Sequence, residues 1–335
     1  MKVLLTLDYE LFLGEKTGSV HNCLLSPMSQ LLKEVASLNV GFTIFVDAAY
    51  LYMLETNRRK YASLEDDYVT ICNHIRSLQE LGHDIQLHIH PQWYFSEYDG
   101  KEWKLDTKHY KLCDVEEKLM TDLFVKSKNL LDSIIGKETI AFRAGGFSAQ
   151  PTKLLGGLFD VSGLRIDTSV CPGTLYDSDS QKYDYTNVPL KSAYHFSNDI
   201  CQENTNGGFL EIPISMIKVS PLFHWKLALT KLSVKIGGGD KYKRMGDGAS
   251  VKTTGSSIVT RMTQFVNTMA TIDEYKASLL KQAYQKACKR GDRYFCVLGH
   301  PKLATPYSIK KMGEFCRYVN NSNGEFITMS DCYDL

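Results

Sequence analysis

The chain has 335 residues, with 39 Lys and Arg against 38 Asp and Glu, for a formal net charge of +1. That balance argues against a nucleic-acid or polyanion binder, and 43% hydrophobic with 23% charged residues excludes a disordered or collagen-like chain. Nine cysteines form no Cys-x-x-Cys pair, which suits reduced, buried thiols and argues against a cysteine-ligated zinc site.

No run of about 18 apolar residues occurs, so no membrane-spanning helix is expected. The apolar stretch at 3–7 is interrupted by Asp8 and Glu10, too early for an export signal, and points to a cytoplasmic protein. In chain order, a β-rich run at 3–8 (VLLTLD) is followed by an amphipathic helix at 26–38, and a strand at 41–47 (GFTIFVD) by a helix at 66–81. A strand at 83–90 (HDIQLHIH) precedes a polar helix at 114–135, and a short strand at 141–143 precedes a helix after Pro151. Strands at 164–167 and 209–214 come next, then a long helix at 258–290, a strand at 294–300 (YFCVLGH), a helix at 308–318 and a strand at 326–328. Strands alternating with helices predict an α/β fold on a parallel sheet, open or closed into a barrel.

Two segments break that rhythm: 171–208, rich in Asp, Asn, Ser and Tyr, and 221–257, with a triple glycine at 237–239. Both read as long surface excursions, lids or insertions, within one domain spanning 1–335. The triple glycine lacks the Lys-Ser/Thr ending of a phosphate loop, so no nucleotide site is expected there.

Side chains alternate across a strand, so Thr6, Asp8 and Glu10 share one face of the first strand, while Asp84, Gln86, His88 and His90 share one face of the third. Asp8, Glu10, His88 and His90 all fall at C-terminal strand ends, where parallel barrels carry their sites. Two imidazoles two residues apart, joined by a carboxylate from another strand, have the makings of a catalytic metal site with open positions; the plainer alternative is a pair of histidines bonded to their neighbours. His300 and Arg143 also end strands, and Arg143 pairs a structural carboxylate as readily as a catalytic one. Gly145 and Gly146 after it permit the backbone geometry of an oxyanion site. Trp93, just beyond the histidines, either offers its ring to a substrate or packs in the core. Asp167 either orients Arg143 or His300, or caps a turn with Thr168 and Ser169.

Taken in order, Thr6-Leu7-Asp8-Tyr9-Glu10, Gly82-His83-Asp84-Ile85-Gln86-Leu87-His88, Arg143-Ala144-Gly145-Gly146-Phe147, Ile166-Asp167-Thr168-Ser169 and Leu298-Gly299-His300-Pro301 resemble five motifs of the polysaccharide deacetylase, or NodB-homology, family of carbohydrate esterases. The resemblance runs from the first strand to about His300 and leaves the two excursions uncovered. It implies an irregular NodB-like (β/α) barrel of about seven parallel strands. It also implies a divalent metal, usually zinc, and removal of an acetyl group from an amino sugar or glycan precursor, as in surface-polysaccharide assembly. By that resemblance Asp8 is the general base, and Glu10, His88 and a second histidine hold the metal. Arg143 orients Asp8, His300 protonates the leaving amine, and a backbone N–H near Gly146 meets the oxyanion.

The sequence departs from the family pattern at two places. Four residues beyond His88, where the second histidine commonly stands, is Gln92, which leaves His90 as the local substitute. Tyr9 stands where many members carry a metal-binding Asp, which moves that role to Glu10. Two rival readings follow: hydrolysis of another C–N bond, in a formamide or cyclic amide, or a glycan-binding protein on the same barrel without turnover.

Overall fold

The apolar, β-rich runs of the sequence become strands buried on both faces, the pattern of a parallel sheet covered by helices. The structure, a computed structural model, describes residues 1–178, 181–249 and 255–332. The chain forms two compact units, Met1–Val40 with Ile214–Phe326, and Gly41–Pro213 with Ile327–Leu335.

In the first unit the strand Lys2–Tyr9 lies between Tyr294–Val297 and Glu325–Phe326, parallel to both, with Lys2 opposite Tyr294 and Glu325. On its polar face the Thr6 hydroxyl donates to the Val297 carbonyl at 2.7 Å, so the hydroxyl is satisfied although buried. The helix Ser26–Val35 turns Met28, Leu31 and Val35 inward at helical spacing. Pro306–Asn321 starts where proline fits the first turn and Thr305 and Ser308 cap each other. Leu280–Arg290 stops at Gly291, whose φ of 77° suits glycine.

In the second unit six strands run in the order Tyr194–Phe196, Phe209–Glu211, Ile166–Asp167, Ala141–Ala144, Asp84–Ile89, Phe42–Asp47. All neighbouring pairs are parallel except the first, which is antiparallel. Helices Ala48–Asn57, Ala62–Glu80, Glu117–Ile135 and Lys153–Ser162 alternate with these strands. The side chain of Glu116 accepts the amide N–H groups of Lys118 and Leu119 and so fixes the start of Glu117–Ile135, which ends at Gly136 in the left-handed region. Phe142 on its strand meets Phe124 and Phe159 edge-on, forming the aromatic centre of this core.

The structure corrects three expectations. The long helix at 258–290 is instead a helix Gly255–Thr263, a strand Val266–Met269, a short extended stretch, a 3-10 helix Glu274–Leu279 and the helix Leu280–Arg290. Val266, Thr268, Thr271 and Ile272 are β-branched, and this stretch pairs antiparallel with Met216–Val219, while the Ile272 N–H bonds the Leu298 carbonyl. The excursion 171–208 contains a hairpin, Leu175–Ser178 with Gln181–Asp184, and the sheet-edge strand Tyr194–Phe196; the excursion 221–257 contains the helix Pro221–Lys235. The helix Ala48–Asn57 escaped the periodicity because Ala48, Ala49, Tyr50 and Leu51 are buried in succession, leaving no polar stripe at its start. None of the nine cysteines forms a disulfide.

Candidate active site

The first unit brings Asp8, Glu10 and His300 together. Asp8 and Glu10 are buried at the end of Lys2–Tyr9, where the Asp8 N–H bonds the Gly299 carbonyl at 2.8 Å. Gly299 is needed there, because a Cβ would collide with Ile272 and Leu7. His300 Nε2 stands 3.6 Å from both Asp8 Oδ2 and Glu10 Oε1. Its other ring nitrogen, Nδ1, lies 2.8 Å from Asp273 Oδ2, and the His300 N–H donates to Asp273 Oδ1 at 2.8 Å. Burial alone would lower the His300 pKa; Asp273, then Asp8 and Glu10, outweigh it and hold the imidazole above its ordinary value. Burial likewise would raise Asp273, and the His300 charge turns that shift downward.

Sequence reasoning missed two residues here. The helix expected at 258–290 takes in Asp273, although the β-branched residues before it are a signal against that helix. Lys302, two residues past His300, donates to Glu10 Oε1 at 2.8 Å and to the Leu11 carbonyl at 2.6 Å, and its burial makes this pair an anchor for Glu10.

The second unit brings together His88, His90, Arg143 and Asp167. The polar face of Asp84–Ile89 divides by depth along the strand. At its start Gln86 Nε2 donates to Asp84 Oδ1 at 2.8 Å and to Ser330 Oγ at 3.0 Å, while Gln86 Oε1 accepts the N–H groups of Ile140 and Ala141, a satisfied structural network. His83, before the strand, accepts the Phe42 N–H at Nδ1 and is structural as well. At the far end the rings of His88 and His90 meet edge-on, centroids 4.8 Å apart. His88 Nδ1 lies 2.7 Å from the Arg143 carbonyl, which can only accept, so Nδ1 carries a proton; in a neutral ring the lone pair then falls on Nε2, as in a metal-ligating imidazole. His90 packs on Gly145, where a Cβ would come within 2.6 Å of its Nδ1. Gln92 is buried too, and neither atom of its amide has a hydrogen-bond partner among the described residues. Buried amide groups ordinarily find partners, so this orphaned one, two residues past His90, is the exception in the segment.

Arg143 is wholly buried, donates from Nε to the Thr168 carbonyl at 3.2 Å, and sits over the Phe45 ring at 4.3 Å. Asp167 makes turn-capping bonds: its Oδ1 accepts the Ser169 N–H at 2.8 Å and its Oδ2 the Ser169 hydroxyl at 3.0 Å. Glu211 lies opposite Asp167 on the neighbouring strand, equally buried. Burial first, and then the Asp167 charge, push the Glu211 pKa well above the ordinary carboxylate range. Asp167 is raised by burial as well, against the opposing pull of its hydrogen bonds and Arg143. Glu211 therefore keeps its proton at pH values where an unfolded glutamate has lost it, and the folded state loses stability as pH rises from the unfolded pKa toward the folded one. Glu211→Gln is expected to match the parent near about pH 4 and to exceed it by upward of about 1 kcal/mol near about pH 8, read from thermal melts across that range.

Trp93 corrects a further expectation. It is fully buried, packed against Tyr50 at 4.6 Å and Trp103 at 5.4 Å between ring centroids, and its indole N–H donates to Asp47 Oδ2 at 2.8 Å. A ring enclosed in this way offers no face to a sugar. Trp93→Ala is expected to cost about 3–5 kcal/mol in urea unfolding, the penalty for an emptied aromatic site. Gly146 has a φ of 58°, which favours glycine, and its carbonyl accepts from Gln181 Nε2 at 2.5 Å.

No family model matches the chain, and no curated protein matches it in sequence. Solved structures do. A Mycobacterium smegmatis protein classed as a polysaccharide deacetylase superposes with a TM-score of 0.52 at 17% identity, covering 99% of this chain and 88% of that one. The likeness is one of fold. It makes this an α/β protein of the NodB-like (β/α) barrel type, with a mostly parallel sheet and flanking helices. A GH57 branching enzyme from Thermococcus kodakaraensis superposes with a TM-score of 0.50 at 12% identity, covering 99% of this chain and 70% of that one. Two catalysts named for different reactions on similar architectures show that the fold does not choose the chemistry, and the side chains must.

Proposed function

We propose that the chain is a single-domain, metal-dependent amide hydrolase that removes an N-acetyl group from an amino sugar or glycan precursor, in the cytoplasm and in the service of surface-polysaccharide assembly. The observation that carries this reading is the His88 imidazole, whose Nδ1–H is fixed by the Arg143 carbonyl. In the proposal Glu10, His88 and His90, all buried, share one divalent ion, most simply zinc. Two imidazoles and a carboxylate suit such an ion, which when bound polarises a carbonyl and lowers the pKa of water.

The remaining roles belong to the chain. Asp8 takes the proton of the attacking water, and Arg143 orients Asp8. His300, held by Asp273 and charged more readily than a free imidazole, gives a proton to the departing nitrogen. The N–H of the Gly146 region offers a hydrogen bond to the developing oxyanion. Asp167 acts at one remove, beside Arg143.

The Lys302–Glu10 pair supports a second reading, in which a lysine rather than a metal ion balances Glu10 and the barrel binds acetylated glycans without turnover. Incubation of zinc-supplied protein with a panel of N-acetylated and N-formylated amino sugars separates the two. Released acetate supports the first reading, formate from the formylated set alone points to another C–N bond, and intact ligand with no bound metal favours the second.

A further inference from the structure

The helix Pro221–Lys235, with Ile236 just after it, carries a row of apolar side chains that nothing among the described residues of its own unit covers. Leu222, Trp225, Leu229, Leu232 and Ile236 recur at three- and four-residue spacing and are all more than half exposed, up to 76% at Ile236. At 100° per residue they fall within an arc of about 80°. The neighbouring helix Gly255–Thr263 adds exposed Ile258 and Val259, followed by Phe265, and the Trp225 indole N–H joins the two helices by donating to the Met262 carbonyl at 3.2 Å. So many large apolar groups in one place form a patch of the kind that marks an interaction surface.

Charge decides the occupant. The two helices hold Lys226, Lys231, Lys235 and Arg261, all exposed, and no acidic residue. Lys226 and Lys235 flank the apolar row on either side, while Lys231, on the far side, pairs with Glu274 of another segment at 3.5 Å. Two copies of this face brought together would set lysine against lysine around the apolar contact, with no carboxylate on either helix to answer it. An apolar stripe bordered by cations, with Trp and Leu at its centre, matches instead the boundary between lipid headgroups and acyl chains of an anionic bilayer. Fifteen residues make a helix of about 22 Å, shorter than the hydrocarbon core, so it lies in the surface and does not cross. Among the described residues no helix is long and apolar enough to span a membrane.

We propose that the face formed by Pro221–Lys235 and Gly255–Thr263 docks the protein on anionic membrane surfaces. The inference stands apart from the hydrolase reading, and its test needs no activity. Vesicles of phosphatidylcholine mixed with phosphatidylglycerol are expected to sediment the full-length protein, and vesicles of phosphatidylcholine alone to do so at least about tenfold less well, with added salt weakening the binding. Trp225 is the natural reporter, since Trp93 and Trp103 are buried. Its fluorescence should shift to the blue on the mixed vesicles, and Trp225→Ala should remove the shift. Leu229→Asp with Leu232→Asp should weaken vesicle binding at least about tenfold while leaving the thermal melt in place, because both side chains are exposed. Absent binding, equal binding to both vesicle types, or an unshifted Trp225 would overturn the proposal. So would a concentration-dependent dimer that the double substitution dissolves, which would give the face to a second copy of the chain.

Discussion

Asp8→Asn is expected to reduce amide hydrolysis by at least about a hundredfold in kcat while leaving the content of bound divalent metal near that of the parent protein. Asparagine keeps the size of the side chain and the backbone bond from residue 8 to the Gly299 carbonyl, so the strand end should not move. What it loses is the oxygen that accepts a proton and a negative charge 3.6 Å from His300 Nε2. That charge is one of three that raise the His300 pKa against the effect of burial, so His300 in Asp8→Asn should titrate lower than in the parent. An NMR titration of His300 therefore tests the pairing without any substrate. A lowered His300 pKa with unchanged turnover would leave the electrostatic contact standing and take the general-base role from Asp8.

Much of this arrangement was legible because period-two alternation is strict on a strand. Placing Asp8 with Glu10, and His88 with His90, needed only parity, and each pair lies buried together at its strand end. Parity did not reveal that the same face of Asp84–Ile89 changes character halfway, from the Asp84–Gln86–Ser330 network to the histidines, since Ser330 is distant in sequence. Asp273 and Lys302 were hidden for a related reason: each acts through a contact with His300 or Glu10 that forms only in the folded chain. The misread helix at 258–290 compounded this, because helical spacing of apolar residues in a β-branched segment competes with strand pairing, and long-range pairing with Met216–Val219 decided it. Trp93 shows the opposite error. Its place just beyond the histidines suggested the substrate, whereas its size and its bond to Asp47 put it in the core.

His88→Ala is expected to lower divalent-metal affinity by at least about a hundredfold, and His90→Ala to do the same by a different route. His88 is oriented through its own hydrogen bond to the Arg143 carbonyl, so its loss removes a ligand whose tautomer was already set. The His90 ring lies where any side chain at residue 145 would intrude, so Gly145→Ala should imitate His90→Ala in part although it deletes no ligand. Gln92 makes the experiment decisive, because its amide is buried with no hydrogen-bond partner among the described residues and it stands four residues from His88. Elemental analysis and zinc titration of His88→Ala, His90→Ala and Gln92→Ala, read against the parent, separate the possibilities. Loss in the first two with near-parental binding in Gln92→Ala supports His90 as the second imidazole ligand. Retention in His90→Ala with loss in Gln92→Ala would hand that position to the amide, a weaker donor for zinc than an imidazole, and would favour an ion that prefers oxygen. No binding by the parent after zinc is supplied would remove the metal from the mechanism, leave the Lys302–Glu10 pair as the balance of charge at that strand end, and turn the function toward glycan binding without hydrolysis.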